Sequence, residues 1–413
     1  MKSKKAPISP AVQAANTLTE RWCSRLGDGD GEDYALSGAG LWPLLALLAS
    51  AADDPAAAEL AAAVGRPAGG AQQEALEIID LLRGGQSTSA ALGIWTRKHV
   101  PLDEHWASPL PDGVIGPLTN QAALDRWADE QTGGLIQKFP IDIDDRTLLV
   151  LASALTARVR WRTPFEGSPR GGGELGVSPE AGLTLEELEL TLEELESVSD
   201  DPGPADQQSL SRTTSDLSIA AVLDDVVTRV VVEGDGDVDV HLLLGDQPPA
   251  EVLGAGLREL SGLAQVRPAA DCDEGGPGFT VTRQRSTNRK NILRLALPSF
   301  EIRTKHDLLK NTELFGLGLL TDTSTSHLPL LSPVPLAISA GAQDVLARFF
   351  AEGFEAAAVT AFGAIAGSGP PETPYEVTLM MVTFGRPFGF LAVHRPSRLA
   401  VVAGWVKSPF QPN

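Results

Sequence analysis

A helical first third followed by strands is predicted for this chain by two observations. Apolar residues recur at three- and four-residue steps through the first third, and short apolar runs bounded by glycine turns take over from Leu148. Residues 10–26 place Val12, Ala15, Leu18, Trp22 and Leu26 on one helical stripe. The stripe stops at Gly27-Asp28-Gly29-Asp30-Gly31, an acidic tract with a superficial likeness to a calcium loop. Asp33 stands where such a loop needs glycine, so a solvated loop is expected. Residues 41–65 are rich in Ala and Leu, broken by Asp53-Asp54-Pro55; Asp54 is expected to cap a second helix that starts at Pro55 and ends near Gly65. Asn120 to Thr132 repeats the helical spacing with Ala123, Leu124, Trp127 and Ala128, closed by Gly133-Gly134. Leu148 to Thr156 is nearly continuous apolar sequence, as for a strand covered on both faces. Val226–Val232 and Asp237–Leu244, joined by Glu233-Gly234-Asp235-Gly236, read as a hairpin. Asp235, Asp237 and Asp239 alternate onto one face and are assigned to a solvent-facing tip, not to a cation site.

Charge narrows the classes of partner. Against 33 Lys and Arg the chain carries 54 Asp and Glu, a net charge of −21, which repels phosphate backbones and anionic membranes. The most apolar run, Leu41 to Ala52, is too short for the roughly 20 residues of a bilayer span. Met1-Lys2-Ser3-Lys4-Lys5 is followed by Ala6-Pro7-Ile8-Ser9-Pro10 and not by an apolar signal-peptide core, so a cytoplasmic location is expected. Cys23 and Cys272 are expected to be free thiols.

One segment follows no structural pattern. Leu183-Thr184-Leu185-Glu186-Glu187-Leu188-Glu189 recurs unchanged as residues 190–196. Two copies do not make a solenoid, which needs three or more units. The segment reads as an acidic helical insertion or as a docking peptide for a basic partner, and Asp200-Asp201-Pro202-Gly203-Pro204 opens a polar linker after it.

Enzyme motifs are missing. The six histidines, His99, His105, His241, His306, His327 and His394, show no zinc spacing, and no phosphate loop, dinucleotide fingerprint or nucleophile elbow occurs. Ser368, between two glycines, lacks an identifiable base and carboxylate in sequence. Neither a catalytic residue nor a cofactor or metal site is predicted.

The C-terminal third holds the informative motif. From Glu352 to Pro371 the chain is small, almost uncharged and closed by Pro370-Pro371; a loop of this length and composition is functional more often than not. Glu352-Gly353-Phe354-Glu355-Ala356-Ala357-Ala358 resembles the serpin hinge, Glu/Lys-Gly-Thr-Glu-Ala-Ala-Ala. Asn120 to Gly133 with Trp127 resembles that family's Asn-x-Trp helix, and Asp144 to Val150 through Trp161-Arg162-Thr163-Pro164-Phe165 its third main-sheet strand and breach tryptophan. Leu297-Pro298-Ser299-Phe300, Leu314-Phe315-Gly316-Leu317, Arg386-Pro387-Phe388-Gly389-Phe390 and Gly404-Trp405-Val406-Lys407-Ser408-Pro409 follow in the family's order.

The resemblance covers residues 10–409 and implies one α+β serpin domain with three β-sheets, about eight or nine helices, an insertion at 183–210 and an exposed reactive-centre loop at 352–371. It implies a monomeric, metastable inhibitor of serine-type endopeptidases without cofactor. Attacked by its target, the loop forms an acyl-enzyme and its hinge inserts into the main sheet. Counting fifteen residues from Gly353, as the family does, puts the reactive bond at Gly367-Ser368, with Ala366-Gly367 as the one-residue alternative. No Lys or Arg lies between Arg348 and Arg386, which points to an elastase-like or subtilisin-like protease with a small or shallow primary pocket. The family commonly works outside cells, in tension with the missing signal peptide. Departures are Phe354 for Thr or Ser, Ala351 for a hinge Glu, and Gln343 and Ser153 for the shutter His and Asn. If Phe354 faces the core, its ring is expected to resist insertion by ~1–3 kcal/mol. The alternative is a non-inhibitory serpin-fold binding protein whose loop is cleaved as a substrate.

Overall fold

The computed structural model describes residues 7–27, 32–169, 208–273, 275–354 and 375–407. The acidic repeat, residues 28–31, most of the expected reactive-centre loop and the expected bond Gly367-Ser368 lie outside them.

Helical periodicity in the first third produces α1 (Pro10–Gly27), the short strand β1 (Tyr34–Leu36), α2 (Gly38–Ala51), α3 (Asp54–Val64) and α4 (Ala68–Arg83). α2 is buried almost all round, running through Pro43, and packs on α1, α3 and α4. The cap of α3 is Asp53, whose carboxylate accepts from Ala56 N, one residue before the expected Asp54; the helix then closes at Gly65 in the left-handed conformation. There follow β2 (Thr88–Thr96), α5 (Glu104–Ala107), β3 (Ile115–Pro117), α6 (Gln121–Thr132), β4 (Leu149–Ala157), β5 (Val159–Arg160) and β6 (Glu166–Pro169). α6 has the caps its sequence promised, Asn120 accepting from Ala123 N and Gly133 at φ 61°.

The second half supplies β7 (Gln208–Thr214), β8 (Ala220–Leu223), β9 (Val227–Val232), β10 (Val238–Gly245), α7 (Pro249–Leu260), β11 (Val266–Pro268), β12 (Phe279–Ser286), β13 (Ile292–Pro298) and β14 (Phe300–Asp307). It ends with α8 (Thr312–Phe315), β15 (Ala342–Phe349), β16 (Gly353–Phe354), β17 (Tyr375–Thr383), β18 (Phe388–His394) and β19 (Leu399–Val406). The α+β class holds, with eight α-helices among the described residues. None of these helices is long and apolar enough to cross a membrane.

Seven antiparallel strands, ordered β1-β19-β18-β10-β9-β8-β11, form the sheet beneath α1, α2 and α7. Every residue of β10, β18 and β19 is buried, which explains their largely apolar sequence, interrupted by Asp239, His241 and His394. A five-stranded sheet, β12-β17-β13-β7-β6, contains one parallel pair, β13 with β17. The remaining ladders are β14-β15-β16-β5 and β3-β2-β4. Among the described residues the strands therefore form four hydrogen-bonded sheets where three were expected, and the reason is local. β5 continues β4 after Arg158 alone, so the last two ladders are halves of one divided sheet, with a cleft between β4 and β15.

The cleft also modifies the reading of β4. Val150, Ala152 and Ala154 are buried, whereas Leu151, Ser153 and Leu155, which share the other face, are only half-buried. The hairpin of β9 and β10 has the expected pairing, but its aspartates are not all at a wet tip. Asp235 is exposed; Asp239 is buried against Arg395 at 2.6 Å, and Asp237 accepts from the backbone N–H groups of Gln86 (2.6 Å) and Ser87 (2.8 Å). Both carboxylates are consumed by tertiary contacts that strand alternation cannot reveal. Cys23 and Cys272 are buried and unbridged, as expected.

Candidate functional site: a cleft in the divided sheet

At one end of the cleft the two halves of the sheet are tied together by β16. Phe354 pairs with Phe349 of β15 on one side and with Val159 of β5 on the other, and Gly353 pairs with Arg160. A Cβ on Gly353 would stand 2.2 Å from the Val159 carbonyl oxygen, so only glycine permits this approach. Trp161 locks the same corner: its backbone N–H donates to the Glu352 carbonyl (3.0 Å) and its Nε1 to the Phe350 carbonyl (2.9 Å). Its ring lies 4.8 Å from Phe349, which packs on Phe165 and stacks on Phe300.

Phe354 is 2% exposed and faces the interior, with its ring 6.3 Å from Phe390. The ring already occupies its own site beneath β16. The expected ~1–3 kcal/mol overpacking at this position is therefore corrected: insertion beyond residue 354 does not have to bring in a ring that is in place beforehand.

Further down, the two sides are joined through α2 and not to each other. On β15, Gln343 Oε1 accepts from Ser37 N (2.9 Å) and Gln343 Nε2 donates to the Ser37 carbonyl (2.8 Å). On β4, Ser153 Oγ donates to the Gly40 carbonyl. Ser37 is the N-cap of α2; its Oγ accepts from Gly40 N (3.0 Å) and donates to the Val401 carbonyl (2.6 Å). Gln343 and Ser153 thus build a polar network around Ser37 and Gly40. His306 lies opposite Gln343 on β14 and is hydrogen-bonded through Nε2 to the Ala35 carbonyl (2.7 Å). Burial pushes its pKa down, against the pull of that carbonyl.

Between these two ties the cleft has a volume of about 120 Å³. Leu151 to Ala157 form one wall and Ala342 to Leu346 the other; Gly40, Leu41 and Leu44 of α2 close one face, and Trp127, Ala128, Thr132 and Phe139 the other. The charged residues that line it are paired, Asp344 with Arg303 (2.8 Å) and Arg348 with Glu301 (2.9 Å). A narrow slot with apolar walls and unpaired strand edges suits a backbone strand with small side chains.

The structure thus brings Trp161, Glu352, Gly353 and Phe354 together at one end of the cleft, and Ser153 and Gln343 along it. Glu355, Ala356, Ala357, Ala358, Gly367 and Ser368 lie outside the described residues. Sequence reading missed Ser37, whose signal was a serine directly before a helical run. It also missed the brace behind Trp161, where Asp239 and Arg395 together hold Gly234, the bridge partner of Trp161.

No protein-family model matches the chain, and no curated protein sequence does. Solved structures do match along its whole length. Human thyroxine-binding globulin complexed with thyroxine aligns at TM-score 0.66 and 14% identity, covering 97% of this chain and 98% of that one. Native protease nexin-1 with heparin aligns at 0.66 and 14%, covering 97% and 99%. Serpin48 of the insect Tenebrio molitor aligns at 0.61 and 16%, covering 96% and 97%. The chain has a serpin-like fold.

Proposed function

We propose that this protein inhibits serine-type endopeptidases as a suicide substrate, its cut loop entering the cleft between β4 and β15. The observation that carries the reading is the direction of β16. It runs antiparallel to both β15 and β5, so a strand that continued past Phe354 in the same direction would run down the cleft. Continuing the same register sets Ala356 between Ala347 and Ala157, Ala358 between Val345 and Leu155, and Thr360 between Gln343 and Ser153. Small side chains would meet the core, and a hydroxyl would meet the polar network.

In the proposed reaction the protease serine oxygen bonds to the Gly367 carbonyl carbon. The bond to the Ser368 nitrogen breaks, and that nitrogen takes the proton relayed from the serine. An ester to the protease remains. Insertion before water attacks this ester carries the protease away with its catalytic geometry disturbed. The chain itself supplies no catalytic group.

The test is incubation with an elastase-like or subtilisin-like protease, read on a denaturing gel and by mass spectrometry. A covalent adduct, with new termini at Gly367 and Ser368, supports the reading. Complete conversion to cut chain without adduct refutes inhibition, and a main cut beyond Pro371 refutes the assigned bond. Trypsin is expected to leave the loop intact.

A second reading, a serpin-fold binding protein whose loop is merely cut, is favoured by one observation. A cavity of about 500 Å³ lies beside the start of α1, lined by Ile8, Val12, Leu81, Leu260 and the buried ion pair Arg229–Glu259 (2.8 Å). That volume suits a small organic ligand.

A further inference from the structure

Against the net charge of −21, strand β12 and the turn after it are basic. Arg283, Arg285, Arg289 and Lys290 fall within residues 279–294, which contain no Asp or Glu. All four are exposed. None forms an ion pair among the described residues. Folding needs no such cluster, because neighbouring cations repel and β17 sets a single carboxylate, Glu376, against them.

Their placement relative to the reactive loop is specific. β12 pairs along its length with β17, setting Arg285 opposite Glu376 and Arg283 opposite Thr378. The Arg289 guanidinium lies 4.7 Å over the ring of Tyr375, the first described residue after 355–374. Asn291 Oδ1, next to Lys290, accepts from Thr378 N (3.0 Å). The cluster is thus fixed to the strand on which the loop re-enters the fold, with Glu376 the one carboxylate of β17 beside it.

We propose that this basic surface is a docking contact for the target protease, and that the target carries an acidic rim around its active site. The proposal rests on the inhibitor reading above. Tyr375 is eight residues from Gly367. A protease engaged on that bond covers about 800 Å² of its partner, an area that takes in the base of the loop. Screening over about 8 Å makes the charges within this footprint, not the distant acidic surface, the ones the protease meets. Four unpaired cations there attract an acidic rim and repel a basic one.

The experiment measures the second-order rate of loop consumption, adduct and cut chain counted together. Two small-pocket proteases are used, an acidic subtilisin-like enzyme and a basic elastase-like enzyme, each at low and high ionic strength. The variant combines Arg283→Ser, Arg285→Ser, Arg289→Ser and Lys290→Ser, all at exposed positions, with its melting temperature confirming the fold. At low ionic strength it is expected to react about tenfold more slowly than the parent with the acidic enzyme, and no more slowly with the basic one. High salt should remove the difference. Equal rates for variant and parent with the acidic enzyme overturn the proposal, even where adduct forms and the inhibitor reading stands. A rate loss with cut chain as the sole product keeps the docking contact and removes inhibition instead. A third chain lacking residues 183–196 completes the test. If the variant is slow only in that background, the acidic repeat, not the protease, holds the patch, and the proposal fails.

Discussion

The side-chain amide of Gln343 forms two hydrogen bonds with Ser37, receiving its backbone N–H at 2.9 Å and donating to its carbonyl at 2.8 Å. This fastens β15 to the N-terminus of α2, while Ser153 fastens β4 to the same turn. Each net bond contributes about 0.5–1.5 kcal/mol, so Gln343→Ala should lower the stability of the intact chain by about 1–3 kcal/mol in urea unfolding. Gln343→Glu should be worse than Gln343→Ala, because a carboxylate would meet the Ser37 carbonyl. Unchanged midpoints would show that the network carries no stability.

Phe354 is a core residue before any insertion. Phe354→Thr should destabilise the intact chain by about 3–5 kcal/mol, the range of a truncated buried aromatic. The ratio of adduct to cut chain should not rise, because the wild-type ring is already seated. A large rise in adduct at unchanged intact stability would restore the view that the ring obstructs the strand.

Acid should loosen this part of the fold. Burial holds His306 and His394 below the ordinary histidine pKa. The unfolded chain therefore binds these protons first as pH falls. Stability is complete above the unfolded value of about 6.5 and declines below it, by at most ~1.4 kcal/mol per pH unit per group, until the folded pKa is passed. Urea midpoints between neutral and mildly acidic pH check the sign, and His306→Gln should flatten the decline. A midpoint that rises on acidification would contradict it.

Much of this fold was legible because its signals are local. α6 declared itself through Asn120, its apolar period and Gly133, and the β9–β10 hairpin through its glycines. The cleft was not legible, since it depends on β4 and β15 failing to pair across nearly two hundred residues of chain. Asp239 looked wet because alternation says which residues share a face and not what covers it. Phe354 looked like an intruder because the sequence shows its size and not the space beneath β16. The resemblance pointed to Trp161, Glu352 and Gly353, which the structure brings to one corner, whereas the Gln343–Ser37 clasp joins residues 306 positions apart and left only the Ser37 cap as a trace.

The central claim is that the cleft between β4 and β15 receives the chain that follows Phe354. Thermal unfolding of intact and loop-cleaved protein, side by side, tests it most directly. Filling the cleft adds about ten backbone hydrogen bonds at roughly 0.5–1.5 kcal/mol each, so the cleaved form should melt about 10 °C or more above the intact one. Equal melting temperatures, or a cleaved form that melts lower, would contradict the claim.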